Sequence, residues 1–152
     1  MTKQEIQNYL YENIPVTKAL GVEAVAFSRE EVKFKAPLAV NINHRSTAFG
    51  GSISSLLITT GWSYLRLLFD EHGPVPRIVI GKSSTNYLQP VSDDFTSELI
   101  IPKKETLERF WEMYNRFGKT RITLQAKIVY QGVVQAEFEG EFVVFEKEEV
   151  RE

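Results

Sequence analysis

The residues whose pattern chemistry could use run Asn41-Ile42-Asn43-His44-Arg45-Ser46-Thr47-Ala48-Phe49-Gly50-Gly51-Ser52. A polar loop leads into a glycine pair, and a segment almost free of charge follows. If that segment is a helix, its first N–H groups have no intrahelical acceptor and carry partial positive charge along the axis. Glycine there lets another group approach the backbone closely. Such a place can seat a polarised oxygen, for instance a thioester carbonyl. The same glycines can equally serve only to turn a strand into a helix.

Other patterns that bind or catalyse fall short. Gly81-Lys82-Ser83 follows Ile78-Val79-Ile80, but a phosphate loop needs a second glycine five residues before Gly81, where Pro76 stands. Gly51-Ser52-Ile53-Ser54 lacks the glycine that a nucleophile elbow carries two places after its serine. Ser52 is expected to cap the helix instead. With 2 His and no Cys, the chain has no disulfide, no thiolate metal site and no cysteine nucleophile, and a histidine metal site is not expected. No cofactor is expected either. His44 reads as a loop histidine, with no carboxylate near it in sequence. Between Glu31 and Asp70 there is no Asp or Glu at all. Hydrolysis needs a group to deprotonate water, most simply a carboxylate. A buried helix commonly lacks charge, so the gap gains meaning only beside a family comparison.

The elements that must position the loop and glycines follow from periodicity. From Ser52 to Leu68, Ile53, Leu56, Leu57, Thr60, Tyr64, Leu67 and Leu68 recur at three- and four-residue steps. Ile58, Trp62 and Leu65 make the other faces apolar, which predicts a helix buried nearly all round. Ser46 to Leu65 is uncharged and long enough to span a bilayer. Its Ser and Thr content, the glycine pair and Arg66 place it in a core instead. Lys3 to Asn13 reads as a short amphipathic helix capped by Thr2 and ended by Pro15. Val22–Phe27 and Glu31–Ala36 read as a hairpin. Strands at Arg77–Gln89, Phe95–Ile101, Thr120–Tyr130 and Val134–Phe145 follow, with an inserted helix at 103–117. Ile122, Leu124, Ala126, Ile128 and Tyr130 point inward, as do Ala136, Phe138, Gly140, Phe142 and Val144, and Gln131-Gly132 makes the turn between them. The expectation is one α+β domain over 1–152, in which about six antiparallel strands curve around the long helix and hide Leu57, Ile58 and Trp62 together.

Composition sets the outer bounds. A chain of 152 residues with net charge -2 predicts one globular domain and argues against a general nucleic-acid binder. The charged start, Met1 to Glu5, has no apolar signal core, so a cytoplasmic protein is expected. The acidic stretch Glu146 to Glu152 reads as a solvated end.

Strand, Asn-bearing loop, Gly-Gly, long helix and antiparallel strands including Asn86-Tyr87-Leu88-Gln89-Pro90 together resemble the hot-dog fold of acyl-thioester enzymes. The likeness spans about Ala19 to Phe145. The run Asn43 to Ser52 more narrowly resembles the C-terminal thioesterase-like domain of YiiD proteins. Related hot-dog thioesterases carry an Asn seven residues before the first glycine, matched by Asn43, and the first glycine's N–H polarises the carbonyl, matched by Gly50. Their catalytic Asp or Glu falls eight residues after that glycine, where this chain has Ile58 beside Thr59.

The resemblance therefore implies Asn43, Gly50 and Gly51 as catalytic residues. It implies decarboxylation of malonyl-acyl carrier protein to acetyl-acyl carrier protein, which needs an enolate stabilised but no activated water. Hydrolysis of carrier or coenzyme A thioesters is the second reading, and a non-catalytic acyl-thioester binder the third. Arg45, Thr47, Phe49, Ser52, Ile58 and Thr59 are the expected substrate contacts, and Lys82, Lys119, Arg121 and Arg45 a basic rim for pantetheine phosphates and an acidic carrier. A homodimer or dimer of dimers is implied, with the sites between subunits.

Overall fold

The glycine pair does open a helix. In the computed structural model, which describes residues 1–146, helix α3 spans Gly50–Leu68. Residues 147–152 of the acidic stretch lie outside the described residues. Ile53, Leu56, Leu57, Thr60, Tyr64, Leu67 and Leu68 are all buried, as their spacing requires. At Gly61 the helix meets the sheet so closely that an added Cβ would lie 2.9 Å from the Phe142 ring. The burial is not all round, however. Gly51, Ser54, Ser55, Ile58 and Trp62 form a stripe that keeps partial or full exposure, so Ile58 and Trp62 are not hidden with Leu57 as the sequence suggested. Among the described residues no helix is long and apolar enough to cross a membrane.

Six strands wrap the buried side: β1 (Glu23–Phe27), β2 (Val32–Ala36), β3 (Arg77–Tyr87), β4 (Phe95–Ile100), β5 (Lys119–Tyr130) and β6 (Val133–Phe145). Every pairing is antiparallel, in the spatial order β1-β2-β4-β5-β6-β3. Strands β1 and β3 are therefore the edges. Alternation puts Ile122, Leu124, Ala126 and Ile128 of β5 against the helix, with Ala136, Phe138, Gly140, Phe142 and Val144 of β6. Tyr130 departs from its expected inward position. A bulge between Ile128 and Val129 breaks the alternation, and Tyr130 lies exposed with its hydroxyl donating to Asp93 at 3.0 Å. The tight turn at Gln131-Gly132 takes positive φ at both residues, 48° and 76°.

Three further helices finish the core. Helix α1 (Lys3–Asn13) begins in a capping box in which Thr2 and Glu5 bond each other's backbone N–H. It buries Ile6 and Leu10 and stacks Tyr9 on Trp62, with ring centroids 6.0 Å apart. That contact covers the C-terminal half of the open stripe on α3 and leaves Gly51, Ser54, Ser55 and Ile58 uncovered. The one-turn helix α2 (Val16–Ala19) sits in what the sequence read as a plain connection. Helix α4 (Lys104–Phe117) buries Phe110 and packs Trp111 and Tyr114 against Phe69, with centroids 4.9 and 5.0 Å away.

Candidate active site

The loop before α3 is held by its own side chains. Asn43 Oδ1 accepts from Arg45 N at 2.9 Å and Thr47 N at 3.1 Å. Its Nδ2 donates to Thr47 Oγ1 at 2.9 Å and Ala48 O at 3.4 Å. Asn43 N also donates to Thr47 O at 2.8 Å, which closes a turn in which Ser46 takes φ 63°. The Asn43 amide is thus fully occupied inside the loop. Asn41, to which sequence analysis assigns no role, is buried and clamps the loop to the fold. Its Nδ2 donates to Leu20 O and Pro37 O, and its backbone carbonyl accepts Phe49 N at 2.7 Å.

This scaffold fixes where α3 starts. Phe49 takes the N-cap position without a side-chain cap, and Ser52 is buried within the first turn rather than capping it. A capping side chain would sit on the first N–H groups; here they stay open. Phe49 O accepts Ser52 N at 3.0 Å and Ile53 N at 3.1 Å. Among the described residues, nothing accepts from the N–H of Gly50 or Gly51. Two parallel donors therefore point out of the helix start with the axial field behind them. The Gly50 carbonyl accepts the Tyr87 hydroxyl at 2.9 Å, a bond between the helix start and the end of β3. A Cβ on Gly51 would meet the ring of Phe49, which is exposed and would have to turn aside.

Beside these donors is a groove of about 320 Å³ lined by Thr47, Ala48, Gly50, Ile53, Tyr87, Leu88, Gln89 and Pro90. Its walls are mostly apolar, and the exposed side chains of Ile42, Phe49, Tyr87 and Leu88 cluster on the same loops. No carboxylate or imidazole lines it among the described residues. Asp93 and Asp94 are engaged elsewhere: Asp93 holds Tyr130, and Asp94 accepts Leu38 N at 2.8 Å.

The expected contacts separate into two groups. Thr47, Phe49 and Ser52 sit around the helix start, and Arg45 is exposed on the loop beside it. Ile58 is half-buried on the open stripe, and the Thr59 hydroxyl is spent on Ser55 O at 2.7 Å. Two turns of helix, roughly 12 Å, separate residue 58 from the Gly50 N–H. The basic rim does not assemble within one chain. Lys119 and Arg121 lie at the end of β5 paired with Phe145 and Val143, roughly 30 and 23 Å along the strand from Ile128. Lys82 faces Glu141 midway along β3.

The model of the family described as "Putative thioesterase (yiiD_Cterm)" matches residues 3–146. The chain belongs to this YiiD C-terminal thioesterase family. Solved structures agree on the hot-dog architecture. A protein of unknown function from Chlorobaculum tepidum superposes with a TM-score of 0.88 at 23% identity, covering 95% of this chain and 94% of that one. A "putative thioesterase" from Shewanella oneidensis gives 0.83 at 25% identity, covering 94% and 96%. A thioesterase from Haemophilus influenzae gives 0.74 at 18% identity, covering 100% and 96%. The hot-dog fold, expected from the order of strand, loop, glycine pair, long helix and antiparallel strands, and membership of a thioesterase-like family, expected from the Asn43 to Ser52 run, are thereby established.

Proposed function

We propose that the protein decarboxylates malonyl thioesters, malonyl-acyl carrier protein foremost, to the acetyl thioester. The observation that carries this reading is the pairing, among the described residues, of two unoccupied N–H donors on Gly50 and Gly51 with a groove that no carboxylate or imidazole lines. In the reaction, the bond from the malonyl Cα to its carboxylate breaks and CO2 leaves. The electron pair passes into the thioester carbonyl, whose oxygen becomes an enolate, and a proton from solvent then returns to carbon. The only charge that needs new stabilisation is on that oxygen, within reach of the two N–H groups. Each such donor contributes about 2.7–4 kcal/mol to a developing oxyanion. Apolar walls at Ile53 and Leu88 suit loss of a carboxylate better than activation of water. In this reading Asn43 is a positioning residue that holds the Thr47–Phe49 segment.

The family description favours a second reading, thioester hydrolysis, with the base supplied by another copy of the chain. Both readings place the work in a dimer. Strand β3 offers an unpaired edge of eleven residues without proline, a template for pairing with a second β3. The uncovered stripe at Gly51, Ser55 and Ile58 lies on the same helix end as the donors. Residues 50 and 58, two turns apart, would act on one thioester only if they came from different copies. A cysteine-free enzyme of this kind suits the cytoplasm.

The test is release of thiol across a panel of malonyl, acetyl and long-chain thioesters of carrier protein and coenzyme A. Consumption of malonyl thioester without free thiol supports decarboxylation. Thiol release from any substrate supports hydrolysis, and no turnover of any of them leaves a binding protein.

A further inference from the structure

We propose that the groove between α4 and the first half of β5 seats an acidic, amphipathic helix of the carrier protein that delivers the thioester. This rests on the preceding reading that carrier-linked thioesters are the substrates. Strand β4 ends at Ile100, opposite Gln125, so β5 before that point has no strand neighbour on one side, and α4 lies along it. Between them runs a groove of about 420 Å³ lined by Arg109, Met113, Phe117, Lys119, Thr120 and Arg121.

The floor of this groove is apolar and its rim is cationic. Met113 and Phe117, one helical turn apart, are 43% and 60% exposed. Scattered exposed apolar residues are ordinary. Here the two adjoin a strip of arginines: Arg109 falls in line with them at a four-residue step, and the Arg116 guanidinium sits 5.1 Å over the Phe117 ring. The carboxylates of α4, Glu105, Glu108 and Glu112, occupy the helix face beyond the arginines. Among the described residues Arg109, Arg116 and Lys119 form no ion pair, whereas Arg121 holds Glu141 at 3.4 Å. Among the described residues, three cations without an ion pair and the Glu141-bound Arg121 thus surround one apolar floor, with the Glu146 carboxylate beside Gly118 at its end. Its complement is an apolar ridge flanked by carboxylates, a pairing that steers encounter and fixes register.

The position also explains why Lys119 and Arg121 stand far from Gly50 of their own chain. In a dimer joined antiparallel through β3, the Arg77 end of one strand meets the Tyr87 end of the other. A carrier seated at β5 then lies two strand spacings, roughly 10 Å, from the edge beside the second copy's helix start.

The experiment compares full-length protein with the Arg109→Glu/Arg116→Glu variant, whose changes fall on exposed positions. KM and kcat are measured for one acyl group on carrier protein and on coenzyme A, and binding of unacylated holo-carrier protein is measured by calorimetry. The expected result is a carrier KM raised about tenfold or more, with salt imitating the effect on the parent protein, and unchanged kinetics on coenzyme A thioesters. An equal rise on both substrates would assign the groove to the coenzyme's nucleotide and overturn the proposal, as would no change on either. If neither substrate turns over, the proposed reaction fails. Calorimetry then decides the docking separately: carrier binding lost in the variant supports it, and no binding by the parent overturns it. A shift of the variant to a smaller oligomer would assign the groove to a second copy. Loss of thermal stability on removing residues 147–152, with carrier binding unchanged, would assign it to the chain's own tail. Either result overturns the proposal.

Discussion

Removing the Tyr87 hydroxyl should slow the reaction without touching the groove's shape. Tyr87 donates at 2.9 Å to the Gly50 carbonyl, which belongs to the same peptide unit as the Gly51 N–H. A donor on the carbonyl side polarises the peptide and strengthens its N–H by roughly 10–30%. Applied to an oxyanion bond of about 3 kcal/mol, that is about 0.3–1 kcal/mol of barrier, or about a two- to fivefold fall in kcat. KM should barely move, because the donor matters most when charge develops on the oxygen. The hydroxyl is exposed, so Tyr87→Phe should cost only about 0.5–1 kcal/mol of stability, readable by urea unfolding. The assay is steady-state decarboxylation of malonyl thioester by the parent and Tyr87→Phe proteins. An unchanged kcat would remove Tyr87 from the mechanism. A loss beyond about a hundredfold would refute the polarisation argument, since it would mean that the hydroxyl touches the reacting group directly.

Two further outcomes test the scaffold. Asn43→Ala removes four side-chain bonds within one loop and should cost about 1–3 kcal/mol, with faster proteolysis between residues 43 and 47. Asn43→Asp keeps the acceptor for Arg45 N and Thr47 N and should lose less; equal losses would contradict the bonding described. Burial pushes the Tyr64 phenol up from 10.0 to about 12, with Arg29 opposing the shift and Glu30 adding to it. The unfolded chain therefore ionises first. The stability held below pH 10 falls as pH rises to 12, by about 2–3 kcal/mol, and Tyr64→Phe should lack that part of the slope.

Much of this was legible in the sequence where the signal was local. The three- and four-residue steps from Ile53 to Leu68 gave the helix and its core face, and alternation gave the inner faces of β5 and β6. Thr2 announced its cap, while the reciprocal bond from Glu5 came only with the structure. What was hidden needed partners distant in the chain. The uncovered stripe at Ile58 could not be seen because its residues are apolar or small, like those of the buried faces. The order β1-β2-β4-β5-β6-β3 places β3 beside β6, and no local pattern specifies that choice. Tyr87 reaches Gly50 across 37 residues, so the sequence marked Asn86 to Pro90 only as a family feature. Asn43 matched the family position, but its four bonds inside the loop depend on Ser46 entering the left-handed region, which its residue type does not announce. The cations of the expected rim are exposed, yet strand register carries Lys119 and Arg121 to the far end of the sheet.

The central claim is tested most directly by mass spectrometry of malonyl-acyl carrier protein incubated with the protein in deuterated water. Protonation of an enolate at carbon predicts acetyl-carrier protein bearing solvent deuterium in its methyl group, with the carrier thioester intact. Free carrier thiol together with released malonate would contradict the account and show that a base for water reaches the Gly50–Gly51 donors from outside the groove of a single chain.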